Sequence, residues 1–369
     1  MVGQYVTFNL RGLVGIQLVG ATSAEAAGVR RQLGPIEGPL DREPDIVIRY
    51  RDQIPLSQTP RLLGIDEVGF TDDRFLVLAG QRGTRVRVAI PMDRVGGQCE
   101  ILCERGTPAV PLLIPIVNLT ALARGTVPMH ATALVYNGRG VLVTGWAKGG
   151  KTETLLAFMA QGARYVGDEW IYIDPDTRRL VGIPEPIRLW DWQLRSAAEY
   201  RRRVPRGARA RLRTLGSGIR ILEALASGHR QAGLMRRALP IARRQLSVRV
   251  PPARLFGAHA CVESADLDHV VMVASHESRA VEAAPVPASE IAERMVFSLE
   301  YERLGLLSYY QRFRFAFPHA ANPHIEEAAT TQRQLLHKAL DGVPSHVVHH
   351  PYPPVISSLF DAIAPLLAP

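Results

Sequence analysis

The chain has 369 residues, 47% of them hydrophobic, which is enough to bury a core for about two or three compact units. No run reaches the roughly 18–20 uninterrupted apolar residues of a membrane-crossing helix; the nearest, Val110 to Ala123, contains Pro111, Pro115 and Asn118 and is predicted to be a buried helix. The formal charge of +9 is local: between Arg195 and Arg254 sixteen arginines face only Glu199 and Glu223, a segment net of +14, leaving −5 for everything else.

The amino-terminal residues carry no basic region followed by an apolar run, so the expected location is the cytoplasm, with no membrane partner. Thr22-Ser-Ala-Glu25 has capping-box spacing ahead of a helix over Ala26 to Leu33, which Gly34-Pro35 ends. Asp45 to Tyr50, Phe75 to Leu78 and Arg85 to Ile90 have strand composition or alternation, and Gly80 to Gly83 is the predicted hairpin loop between the last two. Residues 1–125 thus form a mixed, β-rich amino-terminal domain. Cys99, Cys103 and Cys261 lack CxxC spacing and read as structural thiols.

From His130 the texture changes. Ala131 to Tyr136 and Val141 to Thr144 are apolar and β-branched, joined by Asn137-Gly138, a two-residue hairpin signal. A helix beginning at Lys151 carries Leu155, Leu156, Phe158 and Met159 on one side, Gly162 stops it, and Tyr165-Val166 opens another strand. Residues 195–245 form an Arg-rich helical insertion, with Leu212, Leu215, Ile219, Leu222 and Leu225 at helical spacing. Strands at Leu246 to Val250 and His269 to Ala274, a helix from Ser289 (its cap) to Gly305, and a closing helix Val355 to Leu367 complete the chain. The expected class is α/β, α+β overall, with residues 126–194 and 246–369 as one nucleotide-binding unit interrupted by the insertion.

Gly145-Trp146-Ala147-Lys148-Gly149-Gly150-Lys151-Thr152 satisfies the phosphate-loop pattern GxxxxGK[ST], and it sits between a predicted strand and a predicted helix, where that pattern works. Its glycines let backbone N–H groups turn toward a phosphate that also meets the positive end of the helix dipole. Lys151 adds a full charge at the β and γ oxygens, Lys148 is a second candidate phosphate contact, and Thr152 offers Mg²⁺ a hydroxyl. Asp168-Glu169 leaves a strand expected beside the phosphate-loop strand. Adjacent side chains diverge, so one acid faces a metal while the other takes a proton from an incoming hydroxyl.

His130-Ala-Thr-Ala, Gly140-Val-Leu-Val-Thr-Gly145, Gly150-Lys-Thr-Glu153 and Gly162-Ala-Arg-Tyr-Val-Gly-Asp168-Glu169 together resemble the catalytic core of HPr kinase/phosphorylase, over about His130 to Arg188. The resemblance implies a phosphoenolpyruvate-carboxykinase-like P-loop kinase core, with Asp168 as general base, Glu169 assisting the metal where the family usually has a second Asp, and His130 near the transferred phosphate. Pro184-Glu-Pro-Ile-Arg188 is similar to the family's later Glu-x-Arg loop, which makes Arg188 a stabiliser of the transferring group. Outside this core the resemblance ends, and the arginine segment is extra. The chain is more similar to HPr-kinase-related tailoring enzymes, including those that phosphorylate lasso-peptide precursors on serine.

The expected function is therefore an ATP- and Mg²⁺-dependent kinase acting on a Ser/Thr hydroxyl of a peptide or small protein. The guanidinium-rich segment suits an acidic peptide, and the resemblance suggests a homo-oligomer. Two alternatives are a nucleotide-gated module that binds an acidic peptide or nucleic acid, and a small-metabolite or sugar kinase. Few aromatics interleave the arginines, which argues against nucleic acid as the partner.

Overall fold

The computed structural model describes residues 5–64, 67–81, 84–228, 239 and 245–367. It is a mixed α/β protein with several sheets, α+β in class. Eight strands form the first sheet: β1 (Val6–Leu10), β2 (Val14–Val19), β3 (Ile46–Arg51), β4 (Arg61–Leu63), β5 (Val68–Phe70), β6 (Phe75–Gln81), β7 (Thr84–Ala89) and β8 (Cys99–Glu104). Their order is β1-β2-β3-β8-β7-β6-β5-β4. The predicted 75–78 and 85–90 hairpin is the β6–β7 pair, longer than expected, with Gln81 opposite Thr84; residues 82–83 of its turn lie outside the described residues.

Helix α1 (Ser23–Leu33) starts on the predicted capping box, Thr22 Oγ1 accepting from Glu25 N and Glu25 Oε2 accepting from Thr22 N at 2.8 Å. Helix α2 (Leu113–Ala123) buries most of its length, as its composition requires. Both cover the first sheet. Cys99 and Cys103 lie sealed in that core, where burial pushes each thiol up to about 12, so both are inert packing groups.

The second half begins with β9 (Val127–His130), β10 (Thr132–Tyr136), β11 (Arg139–Thr144), helix α3 (Lys151–Ala160), β12 (Arg164–Gly167), β13 (Trp170–Ile173), β14 (Arg179–Gly182) and β15 (Ile187–Trp190). After the insertion come β16 (Ser247–Val250), β17 (Ser264–Asp266), β18 (His269–His276), β19 (Glu282–Pro285), helix α7 (Ala288–Ala316), helix α8 (Ala328–Leu340), β20 (Ser345–Pro351) and helix α9 (Ile356–Ile363); a 3₁₀ turn, Ala364–Leu367, ends the tail that was expected as one α-helix. A six-stranded sheet runs β12-β10-β11-β18-β20-β19, a four-stranded sheet runs β17-β14-β13-β9, and β15 pairs with β16.

Two expectations change here. The strand leading to Asp168 adjoins β10, not the phosphate-loop strand β11. The reason is the Asn137-Gly138 hairpin: it commits one edge of β11 to β10, and parallel β18 takes the other edge. The helix expected over 289–305 instead runs from Ala288 to Ala316, with Pro287 at its cap position and no side-chain cap from Ser289. Gly305 fails to end it because Leu306, Tyr310 and Phe313 bury against the amino-terminal core, Phe313 meeting Phe75 edge-on at 5.6 Å. Tertiary burial outweighs one glycine.

The arginine segment is helical in pieces: α4 (Asp191–Ser196), α5 (Ala198–Arg203) and α6 (Arg206–Gly228). Ala197 leaves helical geometry at φ −126° and ψ 85°. Val204 is extended, as the residue before a proline must be, so Pro205 forces the second break. The rest of the expected insertion, 229–238 and 240–244, lies outside the described residues. Among those described, no helix is long and apolar enough to cross a membrane.

Candidate functional site

The site lies where two pairs of strands pass from the six-stranded sheet to the four-stranded sheet. One chain passes from β9 to β10 through Ala131, and the other passes from β12 to β13 through Asp168-Glu169. Ala133 is opposite Gly167 on one side of the corner and His130 opposite Trp170 on the other, and Ala131 N donates to Glu169 O at 3.1 Å. Glu169 turns the corner at φ +73°, a left-handed conformation uncommon for a side chain of that size. The ladder registry therefore fixes His130, Asp168 and Glu169 as neighbours.

The phosphate loop leaves β11 and enters α3 as its pattern requires. At Gly145 (φ +140°) a Cβ would stand 2.2 Å from Val273 O, and at Gly150 (φ +108°) 2.4 Å from His350 Nε2, so neither position admits a side chain. His350, fully buried, lies at 2.7 Å from Gly149 O beneath the loop. Lys151 Nζ donates to Gly145 O and Trp146 O, both at 3.1 Å. Trp146 is exposed and lies against Tyr301 of α7, ring centres 5.0 Å apart.

Around this loop a cleft of about 350 Å³ is lined by His130, Ala147, Lys148, Gly150, Lys151, Thr152, Asp168, Glu169 and Arg188, with Trp190, Trp192 and Tyr352 at its edge. The structure thus gathers all three residues expected to act in catalysis and most of the loop. Thr152 Oγ1 donates to Asp168 Oδ2 at 3.2 Å. Glu169 is turned instead to His130, whose Nε2 is 3.0 Å from its Oε2.

The charges explain one another. Burial raises Asp168 most, the Glu169 carboxylate raises it further, and despite Thr152 and Lys151 it titrates at about 7. Glu169 is held below its usual range by the hydrogen bond from His130. Burial pulls His130 down, but Glu169 on one nitrogen and Glu302 Oε1 at 2.8 Å from the other outweigh it and raise the imidazole above normal. Burial lowers Lys151, and the surrounding acids partly restore it.

Three further groups complete this site: Glu302 had no signal in the sequence, whereas Glu153 and Glu185 stood within the motifs named above but were given no role. Glu302 reaches His130 from α7, whose length the pattern underestimated. Glu153, buried, accepts from Gln193 Nε2 at 2.8 Å and ties α3 to α4. Glu185, raised to about 8 by burial and by Glu169 and Asp168, has an Oε1 sealed without a hydrogen-bond partner among the described residues.

Oxygen donors of the kind a divalent cation prefers stand together here. Asp168, Glu169 and Glu185 raise or crowd one another, and the hard oxygens of Thr152 and the acids suit Mg²⁺. Among the described residues, no group of three or more His, Cys, Asp or Glu side chains could hold a metal by itself.

No family model matches the sequence, and no curated protein matches it. Among solved structures the chain is similar to the Hpr(Ser) kinase/phosphatase from Coxiella burnetii, at 16% identity and a TM-score of 0.20, covering 51% of this chain and 97% of that one.

Proposed function

We propose that the chain is an ATP- and Mg²⁺-dependent phosphotransferase of the HPr-kinase-like class that moves a γ-phosphoryl group to a serine or threonine hydroxyl of a peptide or small protein. The observation that carries this reading is the contact of Asp168 with Thr152. It sets a sealed carboxylate that titrates at about 7 directly against the first turn of a phosphate-loop helix.

A general base works best when its pKa lies near the operating pH, and burial has brought Asp168 there. It takes the proton of the acceptor hydroxyl as the acceptor oxygen bonds to the γ-phosphorus. The bond from that phosphorus to the bridging oxygen breaks, and ADP carries the electron pair away. Lys151 exchanges its two loop carbonyls for phosphate oxygens. His130, whose charged form Glu169 and Glu302 favour, and Arg188 line the place of the transferring group. Thr152 and an adjacent carboxylate would hold Mg²⁺, which would neutralise charge on the nucleotide phosphates.

The test is transfer from [γ-³²P]ATP to serine-containing peptides and to small alcohols, in wild type and in Lys151→Ala. Label on peptide serine that depends on Lys151 supports the reading. Equal incorporation in the two proteins, or label confined to the small alcohols, sinks it.

A further inference from the structure

We propose that the arginine-lined groove beside the cleft is the channel through which the acceptor enters, and that its occupant is an acidic peptide segment. What then happens to the hydroxyl rests on the phosphotransferase reading; the ligand class rests on the groove's own residues.

The groove has a volume of about 820 Å³, within the range of roughly 300–1,000 Å³ typical of sites that enclose a ligand. Its floor is apolar: Leu212 and Ile219 of α6 are nearly sealed, seven residues apart on one helix face. Its opposite wall is Trp190 and Trp192, and these two residues also line the phosphate-loop cleft. Groove and cleft therefore adjoin at these two side chains.

Its rim is cationic. Arg195, Arg201, Arg213 and Arg220 line it, against the acids Asp191 and Glu223. Arg195 is paired with Asp191 at 3.1 Å. Arg220 donates to Gly216 O and Ser217 Oγ, both at 3.3 Å. Among the described residues the guanidinium groups of Arg201 and Arg213 have no ion-pair or hydrogen-bond partner. Guanidinium forks left open around an apolar floor match carboxylates on a chain that also carries apolar side chains. The two acids in the wall interrupt the positive field, which suits spaced carboxylates and opposes a continuous phosphate backbone.

The experiment measures fluorescence anisotropy of a labelled peptide with Asp and Glu flanking one serine and one leucine, without nucleotide. Its companions are the same peptide with every acid changed to its amide, a lysine version, and a single-stranded RNA of matching length. The acidic peptide is expected to bind at least about tenfold more tightly than the amide version, and Arg201→Glu with Arg213→Glu is expected to remove that preference. A control pair, Arg202→Glu with Arg206→Glu, exposed in the same segment but outside the groove, is expected to change affinity less than about threefold. Melting curves of both double variants confirm that they are folded.

Equal binding of the acidic and amide peptides overturns the proposal. So does an equal effect of the two reversals, or RNA binding tighter than the acidic peptide. The two readings fail separately: acidic-peptide binding without label transfer removes only the phosphotransferase assignment. Label transfer that ignores peptide charge and the groove reversal removes only the channel.

Discussion

Glu25, in the amino-terminal half, and Asp168, beside the phosphate loop, are both nearly sealed from solvent, at 5% and 3% exposure. Burial raises both. For Glu25 that rise is overcome by Thr22 N at 2.8 Å, Thr22 Oγ1 at 2.9 Å, Arg105 at 3.0 Å and Gly106 N at 3.1 Å, and the carboxyl ends below its usual range. Among the described residues Asp168 has only hydroxyls as donors, Thr152 at 3.2 Å and Thr132, with no arginine and no backbone N–H, and a second carboxylate stands next to it, so it ends at about 7. A buried acid surrounded by donors holds a fold together, whereas a buried acid short of donors costs stability and retains basicity for a reaction.

The largest effect should come from Asp168→Asn, which keeps the shape and removes the base. Phosphoryl transfer is expected to fall by about 10²–10⁴-fold. Stability should move the other way. A carboxyl whose pKa is raised on folding holds a proton that the unfolded chain releases, so stability falls as pH rises from about 4 to about 7. At pH 8 the asparagine variant should be the more stable protein by about 1–3 kcal/mol, and at pH 4 the gain should vanish. A lower melting temperature than wild type at pH 8 breaks the comparison.

Glu25→Gln should do the reverse. It leaves donors from Thr22, Gly106 and Arg105 poorly matched, costing about 1–3 kcal/mol, with the transfer rate unchanged below the melting transition. Because the folded pKa of Glu25 is depressed, its contribution is present above the usual glutamate value and is lost as pH falls below it. Denaturant titrations at pH 7 and pH 3 check this: the variant's deficit should shrink at the lower pH.

The pH profile of kcat/KM sharpens the comparison further. It should rise about tenfold per unit below pH 7 and level off above it as Asp168 loses its proton; a flat profile between pH 5 and 8 argues for another base. Among the site variants the smaller effect on transfer is expected of Glu302→Gln, which takes one of two carboxylates from His130. Transfer should fall by roughly tenfold, about 1.4 kcal/mol, and the His130 titration seen by NMR should move down. An unmoved titration places Glu302 outside the charge network.

Much of the site was legible because its signals are local. The phosphate-loop pattern needs only consecutive residues, and the Asn137-Gly138 hairpin and the Thr22-Glu25 capping box are equally short-range. The strands β1 and β2 escaped notice although Val14, Ile16 and Leu18 alternate with Gly15 and Gln17; β2 is held on both edges, antiparallel by β1 and parallel by β3. The length of α7 was hidden for the opposite reason: Gly305 looks like a stop, yet burial of Leu306, Tyr310 and Phe313 across the molecule carries the helix through.

The sequence by itself determined the loop that we propose holds a phosphate and which acids follow it, since backbone turns and a helix dipole depend on neighbours in the chain. Only the tertiary structure decided what those acids are. Burial against two sheets left Asp168 basic, the corner at φ +73° turned Glu169 to His130, and α7 delivered Glu302 from a distant part of the chain. Charge state depends on surroundings in three dimensions, which no spacing of residues along one dimension specifies.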